Sequence, residues 1–451
     1  MTHAAHNLAP LAAGTRALVL GLGRTGVSCA RYLDARGLAV RVADTRAEPP
    51  GAAQLREQVP AAELRTGAFA NSLLDDVAQV VISPGLALGE PVAVEAQRRG
   101  LPVVGDVELF AREARAPVAA ITGTNGKSTV TSLLAHLANA AGRRAIAGGN
   151  LGEPALDLLA HPLPELYVLE LSSFQLETTY TLHSAVATVL NVTPDHLDRY
   201  ESLDDYAAAK ARIFDHCDTA VVNADDVRVR AMPRPGQPVI TFSLQDAAAD
   251  YFLAGVGEPV LTCRGEPLLP LSALKLQGDH NAANALAALA MCEALELPRA
   301  PVLDALTTFG GLAHRAQWVA DLGGVRFVND SKGTNVGATI AAVSGMAGPL
   351  VLIAGGDGKQ QDFAELRPVC RGKVRHAVLI GRDAPQLDAT FQGVCTTERA
   401  ADMRAAVAAA YAAARPGDTV LLSPACASLD MFRDYAHRGD EFAAAVRSLA
   451  G

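Results

Sequence analysis

The sequence predicts an α/β protein of three domains, each built on a parallel sheet. Its 451 residues suffice for about three domains of ~150 residues. Short β-branched segments alternate with Ala- and Leu-rich stretches of helical spacing, the pattern of strands joined by crossover helices. A polar, Pro-terminated break at 112–117 and a Gly-Gly break at 310–311 divide the chain. We therefore expect domains at 1–115, 116–310 and 311–451.

The expected strands are distributed over all three domains: Arg16–Leu20, Ala39–Ala43, Gln79–Ile82, Val118–Ile121, Leu166–Leu169, Val186–Leu190, Ala220–Val222, Leu350–Ile353, Ala377–Ile380 and Thr419–Leu422. Helices are expected at Val27–Arg36, Ser128–Ala141, Asp204–Phe214 and Asn281–Leu295. Residues 237–276 are rich in Pro and Gly, which predicts small strands appended to the central domain. We expect Trp318 to belong to a hydrophobic core.

Composition excludes several classes of protein. With 39 Lys and Arg against 48 Asp and Glu, the formal net charge is −9, which argues against sequence-independent binding to nucleic acid. The longest apolar run, Ala405–Ala414, has ten residues, whereas a membrane span needs about 20. The first ten residues lack the layout of a signal peptide. Seven scattered Cys residues predict free thiols in a reducing compartment, so we expect a cytoplasmic protein with no membrane partner.

A glycine loop, Gly21–Gly26, lies between the first strand and the first helix. Glycines let the backbone approach a phosphate, and the helix N-terminus offers free N–H groups. Asp44 ends the second strand, where an acid can bond a ribose. Ser83-Pro84-Gly85 is another turn at a strand end. The pattern predicts a Rossmann-like domain that binds a nucleotide, NAD included, although a tight turn without a ligand remains the alternative.

A second loop, Thr122–Thr129, joins the strand Val118–Ile121 to a helix and contains Gly-Lys-Ser-Thr. Its backbone amides can surround phosphate oxygens, Lys127 can neutralise β/γ charge, and Ser128 or Thr129 can face Mg²⁺. Ile121 stands where the common phosphate-loop pattern has its first Gly. The loop predicts an ATP site in a P-loop ATPase-like domain.

Glu170 and His196 each follow a predicted strand of this central domain. Carboxyl ends of parallel strands meet at one edge of the sheet, where open α/β sheets bind ligands. Alone, each residue would be interpreted as a solvated side chain. Together with the phosphate loop, they predict a metal site beside the triphosphate.

Eight motifs along the chain resemble those of the muramyl (Mur) ligase family, ATP-dependent enzymes that add amino acids to peptidoglycan precursors. They lie at 123–129, 170–177, 191–198, 279–284, 314–315, 329–335, 355–359 and 423–432. The Ser-rich segment after Glu170 and the last motif are most similar to those of the member that adds D-glutamate. The resemblance implies ATP-driven addition of D-glutamate to UDP-N-acetylmuramoyl-L-alanine through an acyl phosphate, by a monomer that uses two Mg²⁺ ions.

The resemblance also implies a role for individual residues. UDP-N-acetylmuramoyl-L-alanine would contact Arg24, Thr25, Asp44, Thr45, Arg46, Gly85, Asn150 and His196. ATP would contact Gly123, Asn125, Gly126, Lys127, Ser128, Thr129, Asn281, Arg315, Asp330 and Lys332. D-Glutamate would contact Thr334, Lys359, Ser428, Leu429 and Tyr435, the last standing where the family has Phe.

Four residues would be catalytic: Lys127, Glu170, His196 and Lys210. The metal ligands would be Ser128, Thr129, Glu170, His196 and Lys210, the last as a carbamate. Left unmodified, Lys210 would be expected on the surface of its helix.

Three other functions compete with this one. An NAD-dependent oxidoreductase would use Gly21–Gly26 and Asp44 but leave the phosphate loop without a role. A non-catalytic nucleotide-binding regulator would not need Glu170, His196 and Lys210. A ligase for another amino acid or for folate would differ in the pocket around Lys359 and Ser428.

Overall fold

The computed structural model describes residues 11–196, 199–255, 257–276, 278–346, 348–359 and 361–449. Leu197 and Asp198, which end one of the eight motifs, lie outside these ranges. The chain divides into two compact units. One comprises Met1–Val192, His196–Tyr251 and Ala287–Val302, and the other Thr193–Asp195, Phe252–Leu286 and Leu303–Gly451.

The N-terminal sheet contains five parallel strands among the described residues, in the order β3-β2-β1-β4-β5. The strands are β1 (Arg16–Leu20), β2 (Ala39–Asp44), β3 (Glu63–Thr66), β4 (Val77–Ile82) and β5 (Val103–Val104). The helices are α1 (Arg24–Asp34), α2 (Ala52–Gln58), α3 (Pro91–Arg98) and α4 (Asp106–Ala111). The strand order reverses between β1 and β4, so the turns after these two strands flank the switch point where such sheets bind ligands.

The central sheet has nine strands within the described ranges, in the order β14-β13-β12-β11-β10-β9-β6-β8-β7. They are β6 (Val118–Thr122), β7 (Ala145–Gly149), β8 (Leu166–Glu170), β9 (Ser184–Val189), β10 (Cys217–Asn223), β11 (Val239–Ser243), β12 (Tyr251–Ala254), β13 (Val260–Cys263) and β14 (Glu266–Pro270). The helices are α5 (Lys127–Ala140), α6 (Ser173–Glu177), α7 (Leu203–Ala211), α8 (Val227–Arg230) and α9 (Asp279–Ala294). Strands β6 to β11 run parallel, which brings their carboxyl ends to one edge.

The C-terminal sheet has six strands in the part of the chain that the structure describes, in the order β15-β16-β20-β17-β18-β19. They are β15 (Gln317–Leu322), β16 (Val325–Asn329), β17 (Leu350–Gly355), β18 (Val374–Ile380), β19 (Thr396–Arg399) and β20 (Thr419–Leu422). Helix α10 (Arg299–Thr308) comes before β15 in the chain, and the helices among and after these strands are α11 (Val336–Gly345), α12 (Leu366–Cys370), α13 (Ala384–Phe391), α14 (Met403–Ala413) and α15 (Tyr435–Ser448). All neighbours are parallel except β15, which is antiparallel to β16.

The predicted fold class, three domains with mostly parallel sheets, is confirmed. All ten predicted strands occur, and their ends differ from the prediction by at most three residues. The expectation for Trp318 was wrong, because its side chain is 59% exposed. Trp318 lies on β15, the strand at the edge of its sheet, where packing is incomplete.

In the first unit, the N-terminal and central sheets share one hydrophobic core. Phe110 of α4 packs edge-on against Tyr167 of β8, with ring centroids 5.0 Å apart. Buried Glu108 accepts hydrogen bonds from the backbone N–H groups of Tyr180 and Thr181, at 2.8 and 2.9 Å. Buried charge is costly unless it is hydrogen-bonded, so these contacts fix one sheet against the other.

None of the described helices is both long enough and apolar enough to cross a membrane. All seven Cys residues are free thiols, and five of them are buried. The prediction of free cysteines is therefore confirmed.

Candidate active site

The phosphate loop occupies the turn between β6 and α5. Thr122 ends the strand and Lys127 begins the helix. Gly126 has φ +85°, a left-handed conformation that glycine adopts without steric cost. Asn191 holds the loop, because its carbonyl accepts the Thr124 N–H at 2.9 Å and its Oδ1 accepts the Asn125 N–H at 2.8 Å.

Lys127 points back into this loop. Its Nζ donates to the carbonyls of Gly123 and Thr124, at 2.9 and 2.8 Å. Ser128 and Thr129 are buried in the first turn of α5. The first N–H groups of a helix and its dipole favour an anion at this end, so the loop, Lys127 and α5 form a phosphate site.

Glu170 lies on β8, the strand beside β6, and is paired in register with Ile121. Its Oε1 accepts a hydrogen bond from Asn150 Nδ2 at 2.7 Å. Its Oε2 is buried and has no hydrogen-bond partner among the described residues. A buried carboxylate oxygen left without a donor fits a metal ligand, which makes Glu170 suited to hold Mg²⁺.

Within the described residues, no group of three or more His, Cys, Asp or Glu is placed to hold a metal ion. Mg²⁺ commonly binds to one or two carboxylates, substrate phosphates and water.

Lys210 is buried, with 1% of its surface exposed, unlike the surface lysine that the pattern of its helix alone would suggest. Its Nζ donates to the Gly123 carbonyl at 2.9 Å and lies 4.3 Å from the centroid of the Tyr206 ring. The Tyr206 ring thus lies over one side of the ammonium. The phosphate loop thus covers the face of α7 that carries Lys210, and the Lys210 side chain contacts the loop.

His196 lies next to this cluster. Its ring centroid is 6.1 Å from that of Tyr206 and 5.0 Å from that of Phe174. His196 has φ +55°, a left-handed conformation that is uncommon outside glycine and is often found at functional sites. Lys127, Glu170, His196 and Lys210 lie in the same compact unit, and their joint catalytic role stays a prediction.

Asp44 organises the turn after β2. Its buried carboxylate accepts the Leu22 N–H at 2.7 Å, the Arg46 N–H at 2.9 Å and the Arg46 guanidinium Nη2 at 2.6 Å. Hydrogen bonds from Arg46 hold the pKa of Asp44 at about 2. The carboxylate therefore joins the glycine loop to Arg46, and its contact with a ribose stays a prediction.

Arg24 and Thr25 begin α1 at the same switch point, and Gly85 lies in the turn after β4. Thr45, Arg46 and Gly85 are exposed. At Gly26, an added Cβ would lie 2.0 Å from the Gly21 carbonyl oxygen, so this position requires glycine. The exposed groups around this close turn are available to a ligand.

In the second unit, Asp330 follows β16 and is half-buried. It accepts hydrogen bonds from Ser423 Oγ at 2.8 Å and from the Ala316 N–H at 3.2 Å. Burial raises its pKa to about 6, while the charge of Arg315 acts in the opposite direction. Lys332 follows Asp330 by two residues, and its Nζ lies over the Tyr435 ring.

The remaining predicted residues of this unit differ in exposure. Ser428 and Asn281 are buried, and Thr334 is half-buried. Lys359 is exposed and has φ +51°. Leu429 is 72% exposed, and a role for it in a D-glutamate pocket stays a prediction.

Three structural residues were missed by sequence reasoning. Asn191 fixes the phosphate loop, Arg199 contacts the turn that carries Gly85, and Arg438 is wholly buried. The Arg438 guanidinium donates to the Ser331 carbonyl at 2.8 Å and to that of Cys426 at 3.1 Å, which joins two of the motifs. Asn191 lies inside a motif and was detectable, whereas local sequence around the two arginines gave no signal.

The predicted residues fall in both compact units. The first contains Arg24, Thr25, Asp44, Thr45, Arg46, Gly85, Gly123, Asn125, Gly126, Lys127, Ser128, Thr129, Asn150, Glu170, His196 and Lys210. The second contains Asn281, Arg315, Asp330, Lys332, Thr334, Lys359, Ser428, Leu429 and Tyr435.

Family models match three successive parts of the chain. They are the Mur ligase MurD-like N-terminal domain over 15–105, the Mur ligase middle domain over 121–292, and the Mur ligase glutamate ligase domain over 314–426. The matched segments include the glycine loop, the phosphate loop, and the segment with Asp330 and Lys332.

Curated relatives are similar to this chain over almost its whole length and almost all of their own. The chain is 52% identical to the UDP-N-acetylmuramoylalanine--D-glutamate ligase of Nitrosococcus oceani, over 98% of each chain. It is also 52% identical to the enzyme of the same name from Methylococcus capsulatus, over 97% of this chain and 95% of the relative.

Solved structures share the fold at lower identity. A pseudomurein peptide ligase type C from Methanothermus fervidus is 16% identical, with a TM-score of 0.62 over 97% of this chain and 100% of its own. The UDP-N-acetylmuramate-alanine ligase MurC from Thermotoga maritima is 19% identical, with a TM-score of 0.60 over 96% and 99%. The resemblance found in the sequence motifs is confirmed, and the chain belongs to the Mur ligase family.

Proposed function

We propose that this protein is an ATP-dependent ligase that joins D-glutamate to UDP-N-acetylmuramoyl-L-alanine in peptidoglycan precursor synthesis. Relatives that are about half identical along almost the whole chain carry the name of this activity. The observation that carries the chemistry is the cluster at one edge of the central sheet. There the phosphate loop, the unpartnered oxygen of Glu170 and buried Lys210 lie together.

Phosphoryl transfer needs positive charge beside the triphosphate. Lys127 and the N-terminus of α5 supply it from the protein. Bound Mg²⁺ would offset phosphate charge, with Glu170 and the hydroxyl of Ser128 or Thr129 as its protein ligands and His196 at a second ion. Gly123, Asn125 and Gly126 would contribute backbone groups to the same phosphates.

The reaction then has two steps. The carboxylate of the L-alanyl group attacks the γ-phosphorus of ATP, forming an O–P bond while the bond to ADP breaks. The neutral amine of D-glutamate attacks the acyl carbon, forming the C–N bond while inorganic phosphate leaves and the nitrogen gives up one proton. Lys127 stabilises the charge of the first step, and His196 stabilises the oxyanion of the second.

Lys210 is proposed to act as a carbamate. Its neutral amine attacks CO₂, an N–C bond forms, and one proton is released to solvent, so that an ammonium becomes an anion. A carbamate beside the phosphate loop would supply oxygen ligands for the second Mg²⁺, which prefers oxygen.

We assign one substrate to each domain. The stretch 1–115 would hold the UDP end through Arg24, Thr25, Asp44, Thr45, Arg46 and Gly85, with Asn150 and His196 on the muramoyl part. The stretch 116–310 would hold ATP, assisted by Asn281, Arg315, Asp330 and Lys332. The stretch 311–451 would hold D-glutamate through Thr334, Lys359, Ser428, Leu429 and Tyr435. We place this monomer in the cytoplasm, where reducing conditions suit seven free thiols.

Product analysis tests the proposal. Purified protein is incubated with UDP-N-acetylmuramoyl-L-alanine, ATP, Mg²⁺ and one amino acid at a time, and the nucleotide products are identified by mass spectrometry. The expected product carries one added glutamate and forms with D-glutamate. A product with glycine or meso-diaminopimelate instead would reassign the substrate of the C-terminal domain. An unchanged UDP-sugar with all of them would overturn the proposed function.

A further inference from the structure

We propose that Arg199 is a positioning residue for the UDP-sugar substrate, acting through the turn that carries Gly85. This inference rests on the proposed function. It starts from a contact within the first unit, where the Arg199 guanidinium donates to two backbone carbonyls in the turn after β4. The acceptors are Pro84, with Nη1 at 3.2 Å, and Leu86, bonded by Nη2.

The turn is short, and Gly85 is its exposed residue while Ser83, Pro84 and Leu86 are half-buried. Ser83 follows β4, its N–H donates to the Leu20 carbonyl at 2.9 Å, and the Leu86 N–H closes the turn on the Ser83 carbonyl at 3.0 Å. Gly85 is exposed, and an added Cβ there would meet nothing within 4 Å. The space beside Gly85 is therefore open to a ligand at the switch point of the sheet.

The contact with Pro84 fixes the direction of the Gly85 N–H. A trans peptide group is planar, so its C=O and its N–H point in opposite directions. The Pro84 carbonyl points at Arg199, and the Gly85 N–H in the same peptide group must point away from it. Among the described residues, this N–H has no hydrogen-bond partner, which leaves it available to a phosphate oxygen.

Arg199 also contacts the segment that places His196. Its guanidinium carbon lies 4.2 Å from the centroid of the Phe174 ring, and Phe174 packs against His196. The Arg199 N–H donates to the His196 carbonyl at 2.9 Å. One side chain thus fixes both the turn for the UDP end and the surroundings of His196, where the reacting end of the same substrate would lie.

Arginine suits this position better than lysine. A planar guanidinium can donate to two carbonyls while its face rests on an aromatic ring, whereas an ammonium cannot do both. We therefore expect Arg199→Lys to loosen the turn without removing the positive charge, and Arg199→Ala to release it.

Arg212 offers a matched control. Its Nε and Nη2 donate to the carbonyls of Leu176 and Thr179, both at 2.8 Å, close to the end of α6. Arg212 is thus another arginine that bonds two backbone carbonyls, but these belong to the central domain. Arg212→Lys is expected to change stability without changing affinity for the UDP-sugar.

The experiment measures binding of UDP-N-acetylmuramoyl-L-alanine alone by titration calorimetry, then KM for each substrate and the thermal unfolding midpoint. We expect Arg199→Ala to raise Kd and KM for the UDP-sugar about tenfold, and Arg199→Lys about threefold. KM for ATP is expected to stay within about twofold.

Three outcomes would overturn the inference. They are an unchanged Kd in Arg199→Lys, an equal rise in KM for all three substrates, and an equal rise in Kd in Arg212→Lys. If Arg199→Ala does not fold, the Kd of Arg199→Lys for the UDP-sugar decides whether the inference holds. If the unaltered protein fails to bind the UDP-sugar, the proposed function fails together with this inference, whereas normal binding in both variants overturns the role of Arg199 alone.

Discussion

The ammonium nitrogen of Lys332 lies 3.7 Å from the centroid of the Tyr435 ring. A cation over an aromatic face is attracted to the ring, by about 0.5 to 2 kcal/mol depending on exposure. The same ring lies 6.4 Å from that of His314, in an edge-on arrangement. Tyr435 therefore restrains a lysine that we assign to ATP phosphate.

Replacing this ring tests whether the restraint matters. Tyr435→Phe keeps the aromatic face, so kcat/KM is expected to stay within about twofold. Tyr435→Leu removes it and is expected to lower kcat/KM about 3- to 30-fold, the equivalent of the cation–π energy. Steady-state kinetics with varied ATP make the comparison. A loss in Tyr435→Phe as large as in Tyr435→Leu would assign the effect to the hydroxyl group.

Asp106 predicts a pH-dependent stability. It is fully buried, accepts a hydrogen bond from Gln175 Nε2 at 3.1 Å, and has its pKa raised by burial from 3.8 to about 6. The folded protein thus binds this proton more tightly than the unfolded chain does. The resulting stabilisation is present below about pH 4 and is lost as the pH rises through 6.

The amide side chain in Asp106→Asn cannot ionise, so this variant does not lose stability in this way as the pH rises. Between pH 4 and pH 7.5, its stability is expected to improve relative to the unaltered protein by on the order of 2 to 3 kcal/mol. Thermal unfolding midpoints at several pH values follow the difference, with exposed Asp304→Asn as the control. Parallel pH dependence in Asp106→Asn and the unaltered protein would show that Asp106 ionises normally in the folded state.

Glu170→Gln separates metal binding from folding. The amide oxygen can still accept the hydrogen bond from Asn150, while the other position becomes an NH₂ group that cannot ligate Mg²⁺. We expect the Mg²⁺ concentration for half-maximal phosphate release to rise at least about tenfold, with little change in thermal midpoint. Exposed Glu165→Gln, on the chain just before β8, is the control. An unchanged Mg²⁺ requirement would remove Glu170 from the metal site.

The proposed carbamate on Lys210 predicts that activity depends on bicarbonate. Activity of the unaltered protein is expected to fall in CO₂-depleted buffer and to recover when bicarbonate is added. Lys210→Met fills the same buried space without an amine and is expected to stay inactive in both buffers. Labelled bicarbonate followed by NMR detects the carbamate directly, with exposed Lys275→Met as the control. Full activity of Lys210→Met would contradict the carbamate.

Much of the fold followed from local pattern, because parallel strands are buried runs between amphipathic helices. The phosphate loop, Glu170 and His196 were predicted for a related reason, since the sequence places each of them at or soon after the end of a strand. Lys210 could not be placed in the same way. Its helix carries weak amphipathicity in the sequence Ala-Ala-Ala-Lys-Ala, and its burial depends on Gly123, 87 residues away.

Contacts between distant elements could not be predicted from the sequence for the same reason, since they depend on residues that are far apart along the chain. Asp106 and Glu108 are typical first-turn residues of a helix, yet they bond Gln175 and Tyr180 of the central domain. The prediction that Trp318 is buried was wrong for another reason, because hydrophobicity alone does not distinguish an edge strand from a central one. Arg199 was missed because its partners are backbone carbonyls, which any sequence provides.

Phosphate release from ATP in the presence of UDP-N-acetylmuramoyl-L-alanine and Mg²⁺ tests the central claim most directly. The release is measured with D-glutamate, with L-glutamate and without an amino acid, for the unaltered protein and for Lys127→Ala. The account predicts sustained release with D-glutamate alone, reduced at least about a hundredfold in Lys127→Ala. Release that is independent of the amino acid, or equal in Lys127→Ala, would contradict it.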